Sequence, residues 1–254
     1  MTPLDRPEAL AGRVAVITGA GRGLGAALAI ELSARGMTPV LCGRSAETLA
    51  AVRATIRERT GIEAPIVELD LAEGASVDRA AETVAAMGRP VDLLVNNGAM
   101  WLESAATPLT ADAVFATVNS AIAGTLLFTQ RLMPLLLGSE GADVVTIGSV
   151  SGLPNAPLHN AALPFDAAKR GQAAVAEGLR QQLRGTSVRS IIVHPPWLDD
   201  ATPGATEWDA APHRAKGARA TTRDVVEAVL FAITRPRHVT LDIAIDADAG
   251  GLFG

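Results

Sequence analysis

Three features of this 254-residue chain predict a doubly wound parallel α/β sheet. Short, nearly continuous apolar runs recur along it, a glycine-rich turn follows the first of them, and helix-compatible sequence separates each run from the next. Strands that are apolar on both faces must be covered on both faces, and alternation with helices supplies the covers. Val14–Ile17 ends in glycines and leads into an alanine- and leucine-rich helix over 24–35. Pro39–Cys42, Ile66–Leu69, Val91–Val95, Val144–Ile147 and Ser190–Val193 give further strands, and Leu241–Ile245 a last one at the edge. A helix is expected near 222–233. Before it lies one long irregular stretch, 194–220, rich in Pro, Ala and Gly and holding two tryptophans. A loop of that length beyond the carboxyl end of a strand reads as a lid. No repeat or low-complexity linker interrupts the chain, so residues 1–254 are read as a single domain with one large core.

The composition narrows the partners. A net charge of −5 with no basic cluster offers no footprint for nucleic acid or an anionic membrane surface, which leaves a small-molecule substrate. Cys42 is the sole cysteine; it forms no intrachain disulfide and fits a reducing compartment as a small packed residue. The first residues lack an apolar signal core and no apolar run approaches the roughly 20 residues that span a bilayer, so a cytoplasmic location is expected. Histidines and the cysteine are scattered, and no metal site is expected. Of the 22 basic residues only Lys169 and Lys216 are lysines, which makes a lysine at 169 stand out.

Thr18-Gly19-Ala20-Gly21-Arg22-Gly23-Leu24-Gly25 sits between the first strand and the first helix. In that context a glycine turn brings backbone N–H groups and a helix N-terminus to a pyrophosphate, the arrangement of a Rossmann dinucleotide fold. Enzymes that prefer NAD place a carboxylate on the ribose at the end of the second strand. Here the sequence is Leu41-Cys42-Gly43-Arg44, with no acid, and Arg22 and Arg44 are available to clamp a 2′-phosphate. NADP is therefore favoured as cofactor and NAD is the weaker choice.

The spacing from Thr18 to Gly25 and the motifs after it resemble the short-chain dehydrogenase/reductase family, from about Gly12 onward. Asp70-Leu71 is similar to the family's adenine-contacting pair, and Asn97-Gly98-Ala99, after Asn96, to its Asn-Asn-Ala-Gly element with the last two residues exchanged. Asn119 resembles the asparagine that holds a water in the family's proton relay. Ser149, with Ser151 as competitor, resembles the serine that positions the substrate oxygen, and Lys169 the lysine of the Tyr-x-x-x-Lys pair that fixes the nicotinamide ribose. Pro195 falls where the family's post-strand Pro-Gly begins. The resemblance implies an oxidoreductase that assembles as a homodimer or homotetramer through helices near 112–137 and 164–184.

The chain departs from that pattern at the chemistry. It contains no tyrosine, and Phe165 stands four residues before Lys169, on the same helical face. A phenyl ring packs as a phenol does but carries no proton to transfer. The loop from Ser149 to Phe165 is longer than the family's, and Pro195-Pro196-Trp197-Leu198-Asp199-Asp200 has proline for glycine and Asp200 for a threonine, with Thr202 close by. His159 on the enlarged loop is the best stand-in for the proton, while His194 suits a backbone anchor and Asp166 a helix-start carboxylate. A water held by Asn119 and Lys169 is the further candidate. The leading reading is an NADP(H)-dependent oxidoreductase acting on a small apolar substrate, an activated alkene or iminium in preference to a ketone. Its rivals are a non-redox cyclase, isomerase or lyase, and a catalytically silent nucleotide-binding subunit. Trp101, Leu102, Leu153, Leu158, Trp197 and Trp208 are candidate pocket residues.

Overall fold

Residues 10–100, 109–154, 156 and 162–252 are described in the computed structural model. Among them, seven strands form one sheet: β1 (Val14–Thr18), β2 (Thr38–Gly43), β3 (Ile66–Glu68), β4 (Leu93–Asn96), β5 (Asp143–Ile147), β6 (Arg189–His194) and β7 (Asp242–Ala244). They lie in the order β3-β2-β1-β4-β5-β6-β7, and every pairing is parallel. The helices are α1 (Gly23–Ser33), α2 (Ala46–Thr60), α3 (Gly74–Ala85), α4 (Ala111–Val118), α5 (Thr125–Leu137), α6 (Leu163–Gln182), α7 (Thr206–Ala210) and α8 (Thr222–Ile233). This is the doubly wound parallel sheet that the apolar runs predict, with Cys42 buried in β2.

Strand alternation decides which side chain goes to which core. Val14 and Val16 of β1 join Val40, Leu94 and Val144 in a core with Phe128, Leu132 and Leu136 of α5. Ala15 and Ile17 join Val95, Val145 and Ile191 in the opposite core, against Leu28 of α1, Ile56 of α2 and Val229 of α8. Because β1 has β2 on one side and β4 on the other, the chain reverses direction across the sheet between them. The carboxyl ends of β1 and β4 open a crevice there, where ligands bind in such sheets.

Helix limits follow local chemistry. Ser45 caps α2 by accepting from Thr48 N at 3.3 Å, and Thr221 N and Oγ1 both donate to Asp224 Oδ2 at the start of α8, at 2.7 and 2.8 Å. Pro164 occupies the first turn of α6, where its missing N–H costs nothing. At the other end of the sheet, Arg189 and Asp143 enter the interior as a bidentate pair at 2.8 and 2.9 Å.

Two elements differ from expectation. A π-helical turn, Asn119–Gly124, joins α4 to α5, so the helical stretch Ala111–Leu137 is 27 residues long and apolar enough by composition to cross a membrane. Hydroxyl residues that break the apolar run in sequence are here buried and satisfied along the helix: Thr117 Oγ1 donates to Ala113 O at 2.7 Å and Thr129 Oγ1 to Thr125 O at 2.8 Å. The stretch packs on the sheet through Phe128, Leu132 and Leu136. The 194–220 segment is the second difference, because it contains α7 and a 3-10 turn, Ala211–His213. Trp208, with Ala201, anchors it in the core, and side chains so far apart leave no periodic signal in the sequence. Trp208 is accordingly core, not pocket.

Candidate active site

The crevice at the switch point is a cleft of about 860 Å³. Its floor is the glycine turn between β1 and α1, with Gly19, Arg22, Gly23, Leu24 and Gly25 on the wall. Gly25 is where backbone approaches backbone: a Cβ there would collide with the Gly19 carbonyl oxygen and stand 2.7 Å from Asn97 Nδ2. The turn after β4 is stitched to the floor by the side chains of Thr18 and Asn97. Thr18 Oγ1 accepts from Asn97 N at 3.0 Å and Gly98 N at 2.8 Å, and Asn97 Nδ2 donates to Thr18 O at 3.0 Å. Thr18 thus lies behind the wall as scaffold, whereas Asn97, Gly98 and Ala99 line it.

At one end the cleft is walled by Arg44, Asp70 and Leu71, as expected from sequence, and by Ser45 and Thr48 of the α2 start. Ser45 and Thr48 are legible in sequence only as helix-capping residues. The fold brings them into the cleft beside Gly21, so closely that a Cβ on that glycine would stand 3.2 Å from Thr48 Cβ. A hydroxyl-bearing helix start between two arginines suits an anionic group.

At the other end stand Ser149, Ser151, Phe165, Lys169 and Pro195, together with Pro196, Trp197, Leu198 and Asp200. Ser149 Oγ accepts from Ser151 N at 3.1 Å. Phe165 and Lys169 come one turn apart from α6, and the Lys169 Nζ is 5.8 Å from the centre of the Phe165 ring. Lys169 is 6% exposed and uses two of its three ammonium hydrogens inside the protein, donating to Ile147 O at 3.0 Å and to Gln172 Oε1 at 2.9 Å. Gln172 is a site neighbour that no motif announces. Gly250, Gly251 and Leu252 also reach the wall, tied there by Trp197 N donating to Gly250 O at 2.9 Å. Trp197 stacks on the Arg219 guanidinium, 5.1 Å from the ring centre.

Other candidates fall elsewhere. Asn119 opens the π-helical turn and is half-buried off the wall, while its neighbour Ser120 lines the cleft. His194 anchors backbone, with Nδ1 3.0 Å from Ser149 O. Asp166 is buried in the first turn of α6 and off the wall; burial raises its carboxyl above the usual range, while the Ser151 hydroxyl and the Arg170 charge pull it back. Leu153 and Thr202 are likewise off the wall. His159, Trp101, Leu102 and Leu158 lie outside the described residues. No group of three or more metal-ligating side chains occurs among the described residues.

Burial pushes the Lys169 ammonium down from 10.5 to about 8. A lysine with a lowered folded-state value carries its burial penalty in full below pH 8 and sheds it as pH rises toward 10.5. Wild type is therefore expected to gain stability relative to Lys169→Met between those two values, by up to about 3 kcal/mol at about 1.4 kcal/mol per pH unit. Denaturant unfolding of both proteins across pH 7–10 measures it; a difference that stays flat would show that the ammonium is not desolvated.

Comparison with known proteins agrees with the geometry. The sequence profile of the family described as short chain dehydrogenase matches residues 13–212. An uncharacterized oxidoreductase of Staphylococcus saprophyticus is 28% identical over 230 residues, covering 91% of this chain and 94% of the relative. A short chain dehydrogenase of Burkholderia cenocepacia, solved in complex with NADP, superposes with a TM-score of 0.79 at 28% identity, over 96% of this chain and 99% of that one. A metagenomic short-chain oxidoreductase in complex with NADP gives 0.75 at 26% identity, over 93% and 98%. A parallel sheet with a glycine-floored crevice, matched along most of its length by one profile, makes this chain a member of the short-chain dehydrogenase family.

Proposed function

We propose that the protein is an NADP(H)-dependent oxidoreductase for a small apolar substrate, built as a single dinucleotide-binding unit with 194–220 as its lid. The observation that carries this is the cleft end at β2, where Arg22, Arg44, Ser45 and Thr48 gather and no carboxylate follows the strand. A 2′-phosphate meets cationic forks and hydroxyls there, whereas a bare ribose hydroxyl meets no carboxylate directly after the strand. Relatives of known structure carrying NADP support the same choice. Two guanidinium groups and a helix start are the kind of set that holds a phosphate monoester. Arg44→Ala is expected to weaken NADPH about 10- to 100-fold and to leave NADH nearly unchanged, since a hydrogen bond to a charged group contributes about 1.5–3 kcal/mol. Calorimetric titration of both coenzymes into both proteins tests this; equal NADPH and NADH affinity in wild type would sink it.

The bound coenzyme would supply hydride exchange at its nicotinamide. The protein's share is binding and orientation. Lys169, fixed by Ile147 O and Gln172, has a third hydrogen to offer the cleft, where a ribose hydroxyl would accept it. Ser149 holds an oxygen or nitrogen of the substrate, and Phe165 and Trp197 wall the pocket and exclude water. With a phenyl ring beside the lysine, chemistry that needs little protonation, as in an activated alkene or iminium, suits the site better than a ketone. The same ring is what favours the second reading, a non-redox transformation on a retained cofactor. Turnover of substrate with no change in coenzyme absorbance would select it. Exposed Phe115 on α4 and Leu163 on α6, at 65% and 70%, lie on the helices through which a homodimer or homotetramer would form.

A further inference from the structure

Asp200 faces the floor of the cleft at the start of α1. Gly23 opens α1, whose first amides have no partner within the helix and carry the positive end of its dipole. The Asp200 carboxylate lies just above it: Oδ1 and Oδ2 are 3.3 and 3.5 Å from where a Cβ on Gly23 would stand. The side chain lines the cleft and is exposed. Its neighbour Asp199 takes the nearby guanidinium groups, Arg214 at 2.8 Å and Arg219 at 3.5 Å. Among the described residues Asp200 itself has neither a hydrogen bond nor an ion pair.

The backbone on either side is pinned. Asp199 N donates to Ala220 O at 2.9 Å, Thr222 N donates to Asp199 O at 3.3 Å, and Ala201 N donates to Thr222 Oγ1 at 2.9 Å. Residues 199–201 are thereby held to the start of α8, which keeps Asp200 aimed into the crevice. A free carboxylate is so presented at the spot where a helix start and a glycine turn would otherwise seat an anion.

We infer that Asp200 sets coenzyme affinity, as a fixed negative charge opposing the pyrophosphate of a dinucleotide at the start of α1. This rests on the NADP reading above and goes beyond it. The adenosine end, with its arginines and hydroxyls, then carries the binding, and the repulsion at the pyrophosphate hastens release. Like charges a few ångströms apart in a half-enclosed cleft are screened only in part, so removing one changes affinity on the order of tenfold. A ligand without a pyrophosphate does not feel the change.

The test uses two probes, NADPH and adenosine 2′-monophosphate, and three proteins: wild type, Asp200→Asn and Asp200→Ala. The alanine variant separates loss of charge from the new donor that asparagine brings, and an exposed position tolerates both changes. Both variants are expected to bind NADPH about tenfold tighter than wild type and to release it more slowly in stopped-flow chase, with adenosine 2′-monophosphate affinity unchanged and the NADPH difference shrinking as salt is raised. Wild type that binds NADPH with variants no tighter overturns the assignment of Asp200 and leaves the coenzyme reading standing. Equal tightening of both probes also overturns it, since the charge would then act on the adenosine arm. Failure of all three proteins to bind either probe overturns the coenzyme reading itself, and this inference with it.

Discussion

Phe165→Tyr is expected to raise NADPH-dependent ketone reduction by about 10²–10⁴-fold, the usual worth of a positioned proton donor. The ring is 7% exposed, one helical turn before Lys169 and on the same wall as Ser149. A hydroxyl on that ring would stand near a buried ammonium, 5.8 Å from the ring centre, which lowers a phenol's pKa by stabilising the phenolate. The change adds one oxygen atom to a ring that already lines the cleft. Steady-state kinetics with a panel of small ketones provides the measurement. A variant that binds NADPH as wild type does and remains inactive on every ketone would show that the wall is not arranged for carbonyl chemistry, and would favour the non-redox reading.

Gly124→Ala is expected to destabilise the protein by about 3 kcal/mol, a large penalty for one methyl group. The π-helical turn presses Gly124 onto the backbone of Leu71, where a Cβ would overlap the Leu71 carbonyl oxygen and lie 3.0 Å from its Cα. Neither partner is a flexible side-chain end. Relief requires α5 to move off the β3 side of the sheet or the Asp70-Leu71 segment to yield, and that segment is cleft wall. Thermal unfolding should therefore fall by about 10 °C, given roughly 2–4 °C per kcal/mol for a chain of this size. An unaltered midpoint would mean that the two backbones are not in contact.

The parts of the molecule legible in the sequence are those set by neighbours along the chain. Apolar runs such as Val14–Ile17 and Val144–Ile147 had to be central strands, and Gly19 to Gly25 had to be a strand-to-helix turn, because only local geometry and burial decide them. The glycine floor, Arg44, Asp70 and the Ser149–Lys169 pair reach one cleft as the motif order implies. What sequence left hidden depends on contacts between distant segments. The Thr18–Asn97 stitch spans 79 residues, Gln172 matters only because Lys169 turns toward it, and the approach of Asp200 to Gly23 exists only once the segment after β6 is folded. The π-helical turn is hidden in the same way: it leaves Asn119 off the cleft wall and puts its neighbour Ser120 on it.

The two lysines sit in opposite surroundings, since Lys169 is enclosed between Ile147 O and Gln172 and the Lys216 side chain is 87% exposed. A protein grown on lysine carrying carbon-13 beside the nitrogen would consequently give two resonances, one reporting the interior of the crevice and the other, from a surface lysine paired with Asp248, serving as its exposed reference. Occupancy at the reactive end becomes readable in solution without any added dye, label or assay substrate.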